Sequence, residues 1–253
     1  MSTPPAIDVD PTSAPALAFA QAAGLTDHQR RTIPGDVPVG MHLLKFNEAQ
    51  FDASAFSQLR LALPANIAGS VRQRQAEFLF GRLAARLALA EHGRAGWQVA
   101  VAHTRAPVGP AGFIGSITHC RQHAAAVALP QAALRGIGID IETLIPPQHR
   151  AGVERLVLRP SEHILLQQTS DVSHALLLTA AFSAKESFYK AVSAAAGGYF
   201  GFEVMRITAI DIAAGRIAFS LDQNVCPEWP RGRSGEIDLL RLEDDVVLTL
   251  FRW

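Results

Sequence analysis

The stretch Gly136-Ile137-Gly138-Ile139-Asp140-Ile141-Glu142 decides how the rest of the chain is read. Isoleucine at every second position favours a strand, and glycines within a strand mark close approach of other backbone. Side chains alternate along a strand, so Asp140 and Glu142 share one face while Ile139 and Ile141 take the other. Two carboxylates a few ångströms apart repel each other. Either one takes up a proton or a cation sits with them. A hard divalent ion with oxygen ligands, magnesium foremost, is the natural occupant. A strand end with two solvated acids carries the same D-x-E pattern, so the separation of the two readings falls to the rest of the sequence.

Of the 253 residues, 49% are apolar and 18% charged. That is a globular balance, long enough for one large domain or two smaller halves. Lysine plus arginine and aspartate plus glutamate both total 23, so no broad field draws nucleic acid or an anionic membrane. Cys120 and Cys226 stand far apart without metal-ligand pairing. This argues against a disulfide framework and fits a reducing compartment. Met1 to Ala23 lacks a basic n-region and is interrupted by Asp8 and Asp10, unlike a signal peptide. The best apolar run, Ala175 to Phe182, falls short of the roughly 20 residues a membrane-spanning helix needs. A cytoplasmic protein with neither nucleic acid nor membrane as partner is expected.

Residues 1–40 hold Pro4, Pro5, Pro11, Pro15, Pro34 and Pro38 without sustained periodicity, and read as an irregular lead. A first strand is predicted at Met41 to Phe46 and a short helix at Phe51 to Leu59. The first long helix is Val71 to His92, with Phe78, Leu79, Leu83 and Leu87 at helical spacing and Gly93 as its stop. Gly81 inside it costs about 1 kcal/mol relative to alanine, which points to a strand or ligand close by. Strands follow at Trp97 to His103 and Ala124 to Leu129, with Phe113 to Cys120 as a short segment between them, and Pro146-Pro147 marks a boundary. Mixed helix from Val153 to Gln168 leads to a second long helix over Ser173 to Ala196, ended by Gly197-Gly198. Strands at Val204 to Ile212, Arg216 to Leu221, Glu236 to Leu242 and Val246 to Phe251 complete the chain. The prediction is α+β: a lead at 1–40, an N-terminal half at 41–145 and a C-terminal half at 146–253, each half a long helix with largely antiparallel strands.

The second helix carries Glu186 and Lys190 four residues apart and therefore on one face, with Lys185 about 100° around from Glu186. Taken alone these residues read as a surface salt bridge. Beside Asp140 and Glu142, Glu186 becomes a candidate third ligand for a divalent ion, and Lys185 and Lys190 become neutralising charges for a diphosphate. Ser116, Thr118 and His119 offer hydroxyls and an imidazole for a phosphate monoester. Strand alternation puts Ser116 and Thr118 on one side and His119 at the turn. Zinc held by His119, Cys120 and His123 is a competing idea, weakened by the lack of a second spaced pair. A serine hydrolase is disfavoured because no G-x-S-x-G elbow is present.

In this order, RQRQAEFLFGRLAAR (72–86), GFIGSITHC (112–120), GIGIDIE (136–142) and FSAKESFYKA (182–191) resemble the 4'-phosphopantetheinyl transferases. The similarity is to the branch containing the enterobactin-synthase component and, more distantly, to the surfactin type. It runs from about residue 41 to Ala195. It implies two pseudo-symmetric α+β halves with coenzyme A and magnesium in the cleft separating them. It also implies transfer of 4'-phosphopantetheine to a serine of an apo acyl, peptidyl or aryl carrier protein, with adenosine 3',5'-bisphosphate released, by a monomer. Asp140, Glu142 and Glu186 match the magnesium ligands, and Asp140, Glu186 and Lys190 the catalytic groups. Lys185 and Lys190 match lysines near the diphosphate. Thr118 and His119, with Ser116 beside them, match the pair at the 3'-phosphate, and Arg82 a basic position near the nucleotide. Arg74 and Arg105 carry over from the enterobactin-type branch. Phe182 stands where the surfactin type has Trp. A coenzyme A-binding module without transfer and a magnesium-dependent phosphohydrolase are the alternatives.

Overall fold

The computed structural model describes residues 13–101, 107–168 and 172–253. The chain divides into two compact units, Met1–Arg135 and Gly136–Trp253.

The first unit begins with α1 (Ala14–Ala22), β1 (Leu25–Ile33) and β2 (Val39–Phe46), then α2 (Ser54–Gln58), α3 (Ala65–Ala68) and α4 (Arg72–Ala90). It continues with β3 (Ala100–Val101), β4 (Pro107–Val108), β5 (Phe113–Cys120) and β6 (His123–Pro130). Its main sheet is antiparallel in the order β1-β2-β6-β5, and β3 pairs with β4. α4 packs across β2, β5 and β6. The alanines of β6, Ala124 and Ala126, are fully buried beneath it. Small side chains there let the helix come close enough for Phe80 to stack on Phe46 at 4.5 Å. Gly81 has the close neighbour its position implied: a Cβ there would lie 3.2 Å from Cγ2 of Ile117 in β5.

The irregular lead at 1–40 is corrected. Residues 14–22 are helical, with Ser13 as N-cap and proline in the first turn, where its missing N–H costs nothing. Residues 25–33 pair with β2 along their length. β1 is an edge strand of mostly exposed polar side chains, so it lacks the apolar alternation that reveals a half-buried strand. The strand expected at Trp97 to His103 shrinks to Ala100–Val101 within the described residues.

Across β1 and β2 a polar chain, with His42 buried and Arg30 exposed, ties the sheet to the end of α4. His28 Nε2 lies 2.9 Å from His42 Nδ1, His42 Nε2 lies 2.9 Å from Glu91 Oε1, and the Arg30 Nε–H donates to the same carboxylate at 2.5 Å. Burial is the main force lowering the proton affinity of both imidazoles; His42 adds to it at His28, while Glu91 opposes it at His42. The unfolded chain therefore binds these protons more readily. The stabilisation is present above the ordinary histidine value of 6.5 and is lost as pH falls below it. Thermal melts from pH 7.5 to 5 should show a falling midpoint, with a shallower fall in His28→Gln. Equal slopes would remove the pair from the explanation.

The second unit opens with β7 (Ile137–Thr143), α5 (Pro147–Val157), α6 (Pro160–Gln168) and α7 (His174–Ala196). It ends with β8 (Met205–Asp211), β9 (Arg216–Leu221), β10 (Ser234–Glu243) and β11 (Val246–Arg252). The sheet is antiparallel in the order β7-β11-β10-β9-β8. Since β7 pairs with β11, the carboxylate strand belongs to the second unit. The boundary at 145/146 therefore moves to 135/136; Pro146 and Pro147 only mark the hand-over from β7 to α5. α7 starts at the Ser173 cap and stops at Gly197, whose φ of 67° is left-handed. Phe188 on α7 packs edge-on or tilted against Phe200, Phe219, Trp229 and Phe251, which centres the core under this helix.

Candidate active site

In the second unit the site is built where α7 crosses β7. Contact this close requires the glycines. A Cβ on Gly138 would lie 2.0 Å from the Ser187 carbonyl oxygen, and one on Gly136 would lie 2.2 Å from that of Ala191. Asp140 and Glu142 are the next residues on the same face of the strand. Hydroxyls join the two elements further along. The Ser183 hydroxyl donates to the Asp140 carbonyl at 3.1 Å and takes a hydrogen bond from Thr249 of β11 at 2.9 Å. Thr179 Oγ1 accepts the Ile145 N–H at 3.0 Å.

That docking turns Glu186 and Lys190 toward the carboxylate strand. The Lys190 ammonium donates to Asp140 Oδ1 at 2.7 Å and to the Ile139 carbonyl at 3.1 Å. Asp140 is 4% exposed, and its Oδ2, also buried, accepts no hydrogen bond. Burial pushes the half-buried Glu186 carboxyl above its ordinary range; Asp140's charge acts in the same sense and Lys190 against it. Asp140, Glu186 and Lys190 are therefore electrostatic neighbours. Glu142 lies two residues along, opposite Val247, and is partly buried. The acids do not close on a single point. Among the described residues, no group of three or more His, Cys, Asp or Glu side chains gathers at metal-binding separation. The counter-charge beside Asp140 is Lys190.

Lys185 is a correction. It points away from this group, is 2% exposed, and donates to Glu162 Oε2 at 2.8 Å and to the Val157 carbonyl at 2.7 Å. One residue along a helix is about 100° of rotation, enough to send Lys185 into the α5–α6 side of the unit while Glu186 faces β7. Burial lowers its proton affinity and Glu162 opposes that.

In the first unit, α4 and β5 bring a second group together. Arg74 has only N–H groups to offer, so its Nη1 donates to His119 Nε2 at 2.6 Å. The imidazole proton is then on Nδ1, 3.3 Å from Glu77 Oε2. Glu77 is also 3.4 Å from Arg74 and accepts from Gln73 at 3.0 Å. Arg82, two helical turns on, lies 4.6 Å over the Phe78 ring. Burial, then the charge of Arg74, pushes its proton affinity down to about 10. Its Nε is buried without a hydrogen-bond acceptor.

Alternation along β5 corrects the pairing of Thr118 with His119. Ser116, Thr118 and Cys120 are buried on the face turned from α4, while Ile117 and His119 face the helix. The hydroxyl and the imidazole thus leave the strand on opposite sides. His119 is not at a turn but within the strand, opposite Ala124. The zinc reading loses its geometry for the same reason, since Cys120 lies 4.0 Å from His123 and His119 is on the other face. Arg105 lies outside the described residues. Sequence reading missed Glu77, which the i,i+3 spacing from Arg74 signals, and Glu162, which sits where a capping carboxylate belongs three residues after Arg159.

In the second unit a strand bearing acids lies under a helix bearing a lysine, and in the first a helix and strand bring arginine and histidine together; each taken by itself suits a phosphate-bearing group. Residues 63–129 match the model of the 4'-phosphopantetheinyl transferase N-terminal domain, and residues 136–249 that of the 4'-phosphopantetheinyl transferase superfamily. Enterobactin synthase component D of Escherichia coli (strain K12) is 38% identical over 164 residues, 64% of this chain and 76% of that protein. The component D of Salmonella typhi is 36% identical over 196 residues, 73% and 80%. The 4'-phosphopantetheinyl transferase Npt of Nocardia iowensis is 38% identical over 144 residues, 56% and 62%. The chain belongs to the 4'-phosphopantetheinyl transferase superfamily. It is a transferase of the enterobactin-synthase-component type, moving 4'-phosphopantetheine from coenzyme A to a carrier protein. Among its described residues no helix is long and apolar enough to cross a membrane.

Proposed function

We propose that Asp140, Glu142 and Glu186 would hold a magnesium ion for this transfer, their carboxylates, which do not meet without it, closing on the cation, that Lys190 serves the diphosphate, and that Arg74, Arg82 and His119 serve the coenzyme's 3'-phosphate and nucleotide. The observation that carries the reading is the convergence of Lys190, Asp140 and Glu186. The buried Asp140 carboxylate raises the cost of ionising the half-buried Glu186, and such a pair is one that a hard cation relieves. Magnesium, when bound, draws charge from the diphosphate and polarises the phosphorus under attack.

The chain's own residues supply the rest. Glu186, or a water that it orients, takes the proton from the attacking serine hydroxyl as the new Oγ–phosphorus bond forms and the phosphorus–oxygen bond to adenosine 3',5'-bisphosphate breaks. Lys190 holds the charge that gathers on the departing phosphate. Asp140, through Oδ1, keeps the Lys190 ammonium aimed at it. In the first unit, Glu77 fixes the tautomer of a neutral His119, whose Nε2 holds the Arg74 guanidinium in place, and the remaining N–H groups of Arg74 are offered to a phosphate. The carriers are those of siderophore-type peptide synthesis, and the enzyme acts as a cytoplasmic monomer.

Incubation with coenzyme A, magnesium chloride and a panel of purified apo-carriers, read by intact mass, tests the reading. Expected is a phosphopantetheine gain on carriers that retain their serine and none on Ser→Ala carriers. Bisphosphate released without a carrier would replace it with hydrolysis. No product, with coenzyme A still bound, would leave a binding module.

A further inference from the structure

Glu162 is 0% exposed, yet its carboxylate is fully engaged by three parts of the second unit. Oε2 accepts the Lys185 ammonium at 2.8 Å and the Arg159 N–H at 2.7 Å, and Oε1 accepts the Ile207 N–H of β8 at 2.7 Å. Lys185 adds the Val157 carbonyl at the end of α5. One buried ion pair thus joins α5, the start of α6, β8 and α7. Lys185 borders a small, mostly apolar space whose other walls include Phe188, Tyr189, Phe200, Phe202 and Met205.

We propose that Lys185 is a positioning residue for the transfer reaction: its ion pair with Glu162 sets the rotation of α7, and hence the aim of Glu186 and Lys190, without touching the coenzyme's diphosphate. This rests on the roles given above to Glu186 and Lys190. The glycines of β7 fix how near α7 comes, and the hydroxyls of Thr179 and Ser183 fix it along the strand. Neither opposes a roll of the helix as directly as a charged tether on its far flank. Buried ion pairs are costly to break from one side and cheap to remove whole, because only the first leaves an uncompensated charge. That asymmetry gives the test its form.

Lys185→Met, Glu162→Gln and the double variant would be assayed for carrier loading beside the wild type, with melting curves for each. Each single variant is expected to lose about 10²-fold in kcat, the cost of a misplacement of about 1 Å, and to raise the KM for coenzyme A as well, because Lys190 turns with the helix. The double variant is expected to recover to within about tenfold of the wild type. A double variant that melts like the wild type but keeps a KM for coenzyme A as raised as that of Lys185→Met would overturn the proposal. An inactive wild type would instead strike at the transfer reading itself. Amine acylation of the wild type, mapped by peptide mass with and without coenzyme A, decides the matter even where variants fail to fold. The lysines are Lys45, Lys185 and Lys190. Lys185 should stay unlabelled in both states while coenzyme A shields Lys190; labelling of Lys185 that coenzyme A suppresses would refute the tether.

Discussion

Glu186→Gln is expected to lower turnover by about 10²–10⁴-fold, the usual contribution of a positioned acid or base, while the KM for coenzyme A changes only a few-fold. Glutamine preserves the volume of the side chain and one acceptor oxygen, so packing of α7 on β7 is untouched. It removes two things: the capacity to take a proton and the negative charge. The half-buried carboxyl is pushed toward proton uptake first by burial and then by Asp140, and this is the environment that makes a carboxylate a better base near neutral pH. Asp140→Asn should behave differently. Asp140 anchors the Lys190 ammonium at 2.7 Å, so its loss disturbs the group that faces the diphosphate, and both kcat and KM should worsen. Steady-state rates at saturating apo-carrier, with coenzyme A varied, separate the two patterns. Matched losses of kcat and of coenzyme A affinity in Glu186→Gln would make Glu186 a binding residue only.

Local pattern made the strand and the helix at this site legible. Ile139 and Ile141 alternate with Asp140 and Glu142, and α7 carries its apolar spacing from a serine cap to a left-handed glycine. β7 is buried on both faces from Ile137 to Ile141, and α7 is buried around most of its first half. β1 was not legible, because an exposed edge strand such as Leu25–Ile33 has no apolar face to repeat. Periodicity also gives the direction of a side chain but not its partner. It placed Lys185 near Glu186 in angle, and could not see that a carboxylate twenty-three residues earlier would claim the ammonium. The same limit applies to Thr118 and His119: neighbours in a motif, but on opposite faces of a regular strand. Arg74, His119 and Glu77 meet across forty-five residues, through sheet pairing and helix docking that no local pattern contains.

The glycines before the acids bear the second large expectation. Gly138→Ala should destabilise the second unit by about 3 kcal/mol, the upper part of the range for overpacking, and cut carrier loading by about 10²-fold. The added Cβ would fall 2.0 Å from the Ser187 carbonyl oxygen and 2.7 Å from the Ala191 nitrogen. Both are backbone atoms of a helix, so no side-chain rotation relieves the clash, and α7 has to retreat from β7. Retreat separates Lys190 from Asp140 and Glu186 from the strand, which is why activity should fall further than stability alone would require. Gly81→Ala is the control. Its Cβ would meet only the Ile117 methyl at 3.2 Å, a small shift offset by alanine's helix preference of about 1 kcal/mol, so its melting point and rate should stay near those of the wild type. At about 2–4 °C per kcal/mol for a chain of this size, Gly138→Ala should melt some 6–12 °C lower. A Gly138→Ala protein that melts and turns over like Gly81→Ala would mean that close contact with β7 is not what holds α7 in place.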